Sequence, residues 1–188
     1  MNQLLTPELK SFIKVISRLE DNHIPYMLTG SMAMNFYGHP RATNDFDIVI
    51  DVDSNDCQKI FQAFEKDYYI SLESLQEALK NQSLFNVLDE ESVFKIDFII
   101  RKLDRLSHIQ FQRKTIKEFM GYKICVISPE DLILAKLEWS KESLSELQMR
   151  DIKNLLRILK DQLDYSYMEK WAADLGHLSQ LKTIYASI

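Results

Sequence analysis

The sequence predicts an α+β fold, a mixed β-sheet flanked by helices with a helical C-terminal part. Apolar residues recur at helical spacing in some segments and alternate in others, as amphipathic helices and half-buried strands require. Only four Gly and four Pro occur among 188 residues, well below the usual shares of about 7% and about 5%, which disfavours low-complexity and turn-rich all-β folds. Half of these eight residues lie between Pro25 and Pro40, so we expect a functionally required loop there.

The N-terminal half of the chain predicts alternating helices and strands. Thr6, Pro7 and Glu8 begin a helix with a cap, a proline in the first turn and an acid, and the apolar spacing extends it to about Asp21. The other elements expected up to residue 100 are a strand at 25–29, a short helix at 32–37 closed by Gly38, a strand at 46–51, a helix capped within 53–55, a helix at 72–80, and strands at 84–88 and 93–100.

The C-terminal half predicts one more strand pair and then helices. Strands at 114–119 and 122–127 flank Met120 and Gly121, and Ser128 with Pro129 begins a helix that extends to about Ser140. From residue 144 onward only helices are expected. The predicted organisation is therefore an α+β core at 1–127 with a helical part at 128–188 packed on it.

Composition excludes several classes of protein. The net charge is −5, with 27% charged and 46% hydrophobic residues, as in a folded globular protein. No uninterrupted apolar stretch approaches the ~18 residues of a membrane span. The N-terminus lacks the basic and apolar regions of a secretory signal. Cys57 and Cys125 form no zinc pattern and no disulfide framework. We expect a cytoplasmic protein with no membrane partner.

One segment is strongly basic. From Arg101 to Lys117 there are six basic residues and one acid, so the segment carries +5 and the rest of the chain −10. Such a segment fits an anionic partner such as a nucleotide or an RNA backbone. A solvated strand edge protected by Lys and Arg is the alternative.

Carboxylates are placed so that two strands could share a cation. Asp45 and Asp47 are two residues apart in a strand, so both side chains face one side with Cα atoms about 6.5–7 Å apart. Asp97 interrupts a strongly apolar strand, where an acid is costly unless it is paired or metal-bound. If the two strands are neighbours, three carboxylates converge. Such a cluster suits a hard cation, or a pair of them, in phosphoryl transfer.

Gly30 and Ser31 stand where a strand turns into a helix. Backbone N–H groups at such a turn bind phosphate, and glycine allows close approach. A glycine turn in which Ser31 serves only as an N-cap is the alternative.

These motifs resemble the polymerase-β-like nucleotidyltransferase superfamily, in particular its small bacterial minimal and abortive-infection-type branch. The resemblance is carried by Leu28 to Ser31, by Asp45 to Ile48 thirteen residues later, and by Ile96 to Phe98. Three further stretches are similar to that branch, and the whole covers roughly residues 24–157. They are the linker 37–44 with its Arg-x-Thr-x-Asp run, the helix 128–137, and Arg150 to Ile152.

The resemblance implies a nucleotidyltransferase-type sheet and a set of roles. Gly30 and Ser31 would hold the β- and γ-phosphates of a nucleoside triphosphate, for which ATP is one candidate. Asp45 and Asp47 would bind magnesium, two ions being expected. Asp97 would complete the metal site and help to deprotonate the acceptor hydroxyl.

Arg41 and Lys136 would lie near the triphosphate by the same resemblance. A solvated turn arginine and a lysine whose stem covers apolar surface are the alternatives. Asp151 orients Lys136 or Arg150, or forms a surface pair. His39 is left as a loop residue that could touch substrate. Trp139 and Trp171 are interpreted as core anchors, with stacking on a base as the other option. The sequence leaves the alternatives for Arg41, Lys136, Asp151 and the two tryptophans open.

Together these features predict an enzyme that transfers a nucleoside monophosphate to a hydroxyl of a tRNA, a protein or a small molecule. The resemblance also implies a possible toxin with an antitoxin protein as partner. A relative of the same fold that binds a nucleotide or a partner without turnover is the alternative.

Overall fold

A computed structural model describes residues 6–41, 43, 45–89, 91, 94–143 and 146–188. Within these residues a seven-stranded mixed sheet is flanked by helices, which confirms the predicted α+β class. The strands are β1 Tyr26–Leu28, β2 Asp45–Ile50, β3 Tyr68–Ile70, β4 Leu84–Asp89, β5 Lys95–Ile100, β6 Thr115–Phe119 and β7 Tyr122–Val126. The helices are α1 Pro7–Asp21, α2 Gly30–Met34, α3 Cys57–Phe64, α4 Leu72–Asn81, α5 Arg105–Gln112, α6 Pro129–Ser143, α7 Glu146–Ile158, α8 Tyr165–Asp174 and α9 Leu178–Tyr185. Short 3₁₀ turns at Asn35–Tyr37 and Ser54–Asp56 follow α2 and precede α3.

The strand order places the acidic strands side by side. The order is β3-β4-β5-β2-β1-β7-β6, with β2 parallel to β5 and antiparallel to β1. In the β2–β5 register Asp47 lies directly opposite Asp97, and Asp45 lies opposite Lys95. Because side chains alternate between the two faces of a sheet, all four of these residues project to one face.

The opposite face of the same strands forms the main core. Phe46, Ile48 and Ile50 of β2 are buried there. Phe12 of α1 packs against Phe46 with ring centroids 5.0 Å apart, and Phe94 stacks on Phe46 at 4.4 Å. Burying such aromatic side chains stabilises the fold by roughly 2–3 kcal/mol each. The apolar side chains of β2 therefore face the core, and Asp45 and Asp47 are left on its other face.

A buried polar cluster attaches the C-terminal helices to the core. Asp131, in the first turn of α6, is fully buried and accepts hydrogen bonds from Ser128 Oγ at 2.7 Å, Tyr167 of α8 at 2.7 Å and Arg113 Nε at 3.3 Å. The Arg113 guanidinium also lies 3.9 Å from the centre of the Tyr167 ring. Burial raises the pKa of Asp131 while these partners oppose that rise. The proposed division after residue 127 stays a prediction.

Two elements are absent from the sequence expectations, β3 and α5. β3 is a three-residue edge strand, too short to show an alternating pattern. α5 lies within the basic segment and buries only Leu106 and Phe111, although Asp104 caps it by accepting from Ser107 N at 2.9 Å. Several residues of the predicted elements lie outside the described residues. They are Ala42 and Asn44 of the predicted 37–44 linker, Glu90, Ser92 and Val93 of the predicted hairpin, and Leu144 at the start of the helical region. None of the described helices combines the length and hydrophobicity needed to cross a bilayer.

Candidate active site

The site is built around the contact between Gly30 and Asp47. Gly30 has a φ of +64°, in the left-handed region that favours glycine. A Cβ at this position would lie 1.8 Å from Asp47 Oδ2 and 2.6 Å from its Cγ. The backbone is fixed here because Thr29 N donates to Asp47 O at 2.9 Å. The glycine therefore lets the turn after β1 lie directly against the carboxylate of β2.

Asp47 is half-buried beside two other carboxylates. Burial is the main cause that raises its pKa to about 6, and the charges of Asp45 and Asp97 add to the effect. Lys136 and Lys95 act in the opposite direction. The site thus holds more negative charge than its own lysines neutralise, which is the electrostatic condition for binding a cation.

Lys95 places an ammonium between two of the acids. Its Nζ lies 2.8 Å from Asp97 Oδ2 and 4.0 Å from Asp45 Oδ2. Asn86 of β4, which is paired with Asp97 in the sheet register, donates its amide to the other Asp97 oxygen. The hydrogen bond from Lys95 to Asp97 raises the pKa of the lysine. Thr43 Oγ1 donates to Asp45 Oδ1 at 2.8 Å, so each outer acid is held in a defined orientation.

The donor set fits a hard divalent cation. Carboxylate oxygens are the ligands that Mg²⁺ prefers. Asp45, Asp47 and Asp97 supply them from one sheet face, and the Lys95 ammonium shows that positive charge is stable between two of them. In the part of the chain that the structure describes, no three His, Cys, Asp or Glu side chains are gathered closely enough to hold a metal as they stand. A cation would therefore require the Lys95 side chain to move and the carboxylates to close in.

Lys136 projects from α6 beside the glycine turn and is nearly fully buried. Its Nζ donates to Asp151 Oδ2 at 2.9 Å and to Gln148 Oε1 at 3.0 Å. Burial lowers the pKa of Lys136, and the hydrogen bond to Asp151 is the chief opposing influence. Arg41 donates its Nη1 to the same Asp151 oxygen. One buried carboxylate of α7 thus orients two cations that come from different segments.

The same cluster resolves the alternatives for Asp151. Asp151 is fully buried and bonds to Lys136 and Arg41, whereas Arg150 is exposed to solvent. The surface-pair interpretation is wrong, because a buried carboxylate on this face of α7 reaches the core of the cluster. His39 Nε2 lies 4.0 Å from Asp151 Oδ1, an oxygen that has no hydrogen-bond partner among the described residues.

A cleft of about 480 Å³, including its open mouth, lies between the glycine turn and α6. Its polar side contains Gly30, Ser31, Asp47 and Lys136. Its other side is apolar and includes Trp139, which is 57% exposed. The prediction that Trp139 is a core anchor is therefore wrong, while Trp171 is buried as expected. Trp139 lies three residues after Lys136, and this spacing brings both side chains to one face of the helix.

The predicted site residues are only partly brought together. Gly30, Ser31, Asp47 and Lys136 line the cleft, and Asp45 and Asp97 lie beside it on the same sheet face. Arg41 instead contributes to a separate groove that also includes Thr43 and Phe46, and reaches the site through Asp151. Their roles toward nucleotide and metal stay predictions.

Sequence reasoning missed several residues of this site. Lys95 shares the strand parity of Asp97, a signal that could have found it. Asn86 could be found only from the pairing of β4 with β5. Gln148 precedes Asp151 by three residues, which places both on one side of a helix.

Most basic residues of the segment Arg101 to Lys117 contact other side chains of the protein. Arg101 Nε donates to Asp51 at 2.8 Å, and Arg113 pairs with Asp131 and Glu130. The Lys114 and Lys117 ammonium groups lie 3.8 and 5.1 Å from the ring centres of Phe111 and Tyr37. The charge that suggested an RNA partner is therefore distributed over contacts within the chain.

No protein-family profile matches this chain, and no curated protein matches its sequence. Solved structures do share its fold. The lincosamide antibiotic adenylyltransferase LnuA, in a lincomycin-bound crystal structure, is 23% identical with a TM-score of 0.58 over 79% of this chain and 96% of its own. ANT(2'')-Ia in complex with adenylyl-2''-tobramycin is 14% identical with a TM-score of 0.59 over 90% and 97%.

A third structure is an antigenic nucleotidyltransferase-like protein from Paracoccidioides brasiliensis. It is 18% identical, with a TM-score of 0.53 over 95% of this chain and 92% of its own. At these identities the similarity is one of fold, and the fold is the same in all three comparisons. The protein therefore has the polymerase-β-like nucleotidyltransferase fold that its sequence motifs predict.

Proposed function

We propose that this protein is a Mg²⁺-dependent nucleotidyltransferase that moves a nucleoside monophosphate from a nucleoside triphosphate to a hydroxyl group. One observation carries the proposal. The Asp47 carboxylate lies against the Gly30 turn in one cleft that also contains Lys136, which is the arrangement expected if the acid holds a metal and the turn binds phosphate. The antibiotic adenylyltransferases that share the fold support this class of reaction.

The residues of the site have complementary roles in this reaction. Gly30, Ser31 and the Lys136 ammonium would bind the β- and γ-phosphates. Asp45, Asp47 and Asp97 would hold Mg²⁺. When bound, the metal supplies positive charge that offsets the charge of the triphosphate and of the departing pyrophosphate.

The chemistry itself is a displacement at the α-phosphorus. The acceptor oxygen forms a bond to that phosphorus while the bond to the bridging oxygen of the β-phosphate breaks, and pyrophosphate leaves. The acceptor proton passes to the Asp97 carboxylate, which faces the same side as Asp47. Before this step Asp97 must give up its contact with Lys95.

A small hydroxyl-bearing molecule is the acceptor we favour over RNA. Of the basic residues that suggested RNA, Arg101 and Arg113 form ion pairs, and Lys114 and Lys117 lie over aromatic rings of the chain. LnuA is described as a lincosamide adenylyltransferase, and ANT(2'')-Ia was solved in complex with adenylyl-2''-tobramycin. A tRNA, a protein acceptor and a toxin role with an antitoxin partner are tested alongside. Toxicity would appear as growth arrest on induced expression that Asp47→Asn abolishes.

The decisive test is transfer of label from each NTP in the presence of Mg²⁺. Acceptors are lincosamides, aminoglycosides, total tRNA and cell extract. We expect labelled product with one acceptor class, lost on removal of Mg²⁺ and in Asp47→Asn and Asp97→Asn. Asp174→Asn, at an exposed carboxylate at the end of α8, is the matched control and should stay active.

Two outcomes would contradict the proposal. Transfer that persists in both Asp47→Asn and Asp97→Asn would assign the reaction to another site. Binding of an NTP without transfer to any acceptor would support the non-catalytic relative of the same fold.

A further inference from the structure

The cleft beside Gly30 has two chemically different sides. One side presents Ser31, Asp47 and Lys136, and the other presents Ile99 of β5 with Leu132, Ala135 and Trp139 of α6. Both sides line one continuous cleft that is open to solvent. Its occupant should therefore carry an anionic group and an apolar group in one molecule.

Trp139 is the unusual member of the apolar side. An indole is usually largely buried, and Trp171 follows this rule with 6% exposure, whereas Trp139 is 57% exposed. Its neighbours on α6, Leu132 and Ala135, are buried or short, whereas the indole is a large ring with more than half of its surface exposed. A planar ring stacked on it would remove this surface from water.

We propose that Trp139 is the nucleobase-stacking residue of the cleft, and that Ile99 and Ala135 complete the apolar base subsite. This inference rests on the proposed nucleotidyltransferase function and assigns a binding role that the phosphate and metal residues do not fill. Lys136 and Trp139 lie on one face of α6, so a single helix presents a cation to the phosphates and a ring to the base.

The position of the acids favours the nucleobase over the acceptor as the occupant. Asp47 lines the cleft, but Asp45 and Asp97 do not. The acceptor hydroxyl must reach Asp97, which lies outside the cleft next to β4. The cleft is therefore left for the nucleotide, with the acceptor arriving from the Asp97 side.

Tryptophan fluorescence tests this assignment directly, because Trp139 is exposed and Trp171 is buried. Adenosine, inorganic tripolyphosphate and ATP are titrated separately, with and without Mg²⁺, and the other NTPs follow. We expect adenosine and ATP to quench the emission and tripolyphosphate to leave it unchanged. The quenching should vanish in Trp139→Leu and persist in Trp171→Phe.

Affinity supplies the second measurement. Trp139→Leu should weaken ATP binding at least about fivefold, the loss expected for one base–aromatic stack, and leave tripolyphosphate binding within about twofold. Trp139→Phe keeps a ring and should retain most of the affinity. Tyr69→Leu, at an exposed aromatic on the β3 edge, is the matched control.

Three results would overturn the inference. The first is equal quenching of the emission by tripolyphosphate and by adenosine. The second is ATP binding seen by calorimetry without any change in the Trp139 emission. The third is quenching by an antibiotic acceptor but by no nucleoside. Each of these readouts is binding, not turnover. Failure of label transfer with intact adenosine quenching would refute the proposed function alone, and transfer without quenching would refute only the stacking role.

Discussion

Replacement of Gly30 by alanine is the sharpest perturbation of the site. At a φ of +64° an alanine costs roughly 1–2 kcal/mol relative to glycine. Its Cβ would also lie 1.8 Å from Asp47 Oδ2, 2.6 Å from Cγ and 2.9 Å from Cβ, so the carboxylate must leave its position or the turn must shift. Such overpacking costs about 1–3 kcal/mol more. We expect Gly30→Ala to lose about 2–5 kcal/mol of unfolding free energy by summing these two effects.

Two comparisons separate the contact from the backbone effect. Gly176 has a φ of +76°, and no described atom lies within 4 Å of the position that a Cβ would take there. Gly176→Ala should therefore lose only the roughly 1–2 kcal/mol of the left-handed conformation. The double variant Gly30→Ala/Asp47→Ala removes the two closest clashing atoms, Oδ2 and Cγ, and keeps only the Cβ contact at 2.9 Å. Its loss of unfolding free energy should therefore be smaller than the sum of the two single losses by about 1 kcal/mol or more.

Urea unfolding followed by circular dichroism measures the unsubstituted protein, the three single variants Gly30→Ala, Gly176→Ala and Asp47→Ala, and the double variant. The reasoning is refuted if Gly30→Ala is no less stable than Gly176→Ala, or if the effects of Gly30→Ala and Asp47→Ala simply add. Nucleotide binding by the same variants provides an independent readout, because a displaced turn also displaces the N–H groups proposed to bind phosphate.

Three further perturbations probe charged groups. Asp151→Ala leaves the buried Lys136 without its carboxylate and should cost about 3–5 kcal/mol in urea unfolding; a loss below about 1 kcal/mol would contradict the buried-pair assignment. The hydrogen bond from Arg18 lowers the pKa of Asp67 to about 2, below its unfolded value. The Asp67 carboxylate therefore stabilises the fold above about pH 4 and loses this effect as the pH falls toward 2. The difference in unfolding free energy between the unsubstituted protein and Asp67→Asn should shrink over that range, from at most about 1 kcal/mol because Asp67 is partly exposed. A difference that does not change with pH would refute this role of Asp67. Lys95→Met removes the ammonium from between the strand acids and should tighten Mn²⁺ binding in calorimetry, whereas weaker binding would show that the lysine helps to hold the cation.

The acids were predictable because strand parity is a local property. Asp45 and Asp47 are two residues apart, and Asp97 interrupts an apolar strand, so their facing follows from the sequence. Their adjacency does not, since it depends on the pairing of β2 with β5 across 50 residues of chain. The register that places Lys95 opposite Asp45 became visible only with that pairing.

Tertiary contacts explain the predictions that were wrong or incomplete. Trp139 has helical spacing to apolar neighbours, yet its side of α6 borders an open cleft and not the core. Arg113 counted as surface charge in the sequence, but it pairs with acids at the start of α6. Sequence periodicity shows which residues share a face of a helix, but it does not show whether that face packs on the core or borders an open cleft.

The single carboxylate of Asp151 has a consequence for how the cleft receives an anion. Lys136 is already stripped of water and aimed by Asp151 and Gln148, so an entering phosphate would meet a cation whose dehydration and orientation were completed during folding. Such preorganisation avoids rearrangement at the moment of reaction. Because Asp151 also binds Arg41, a shift of α7 would move both cations together, and a helix near the C-terminus thereby sets the electrostatics of a site whose strand acids lie on β2 and β5.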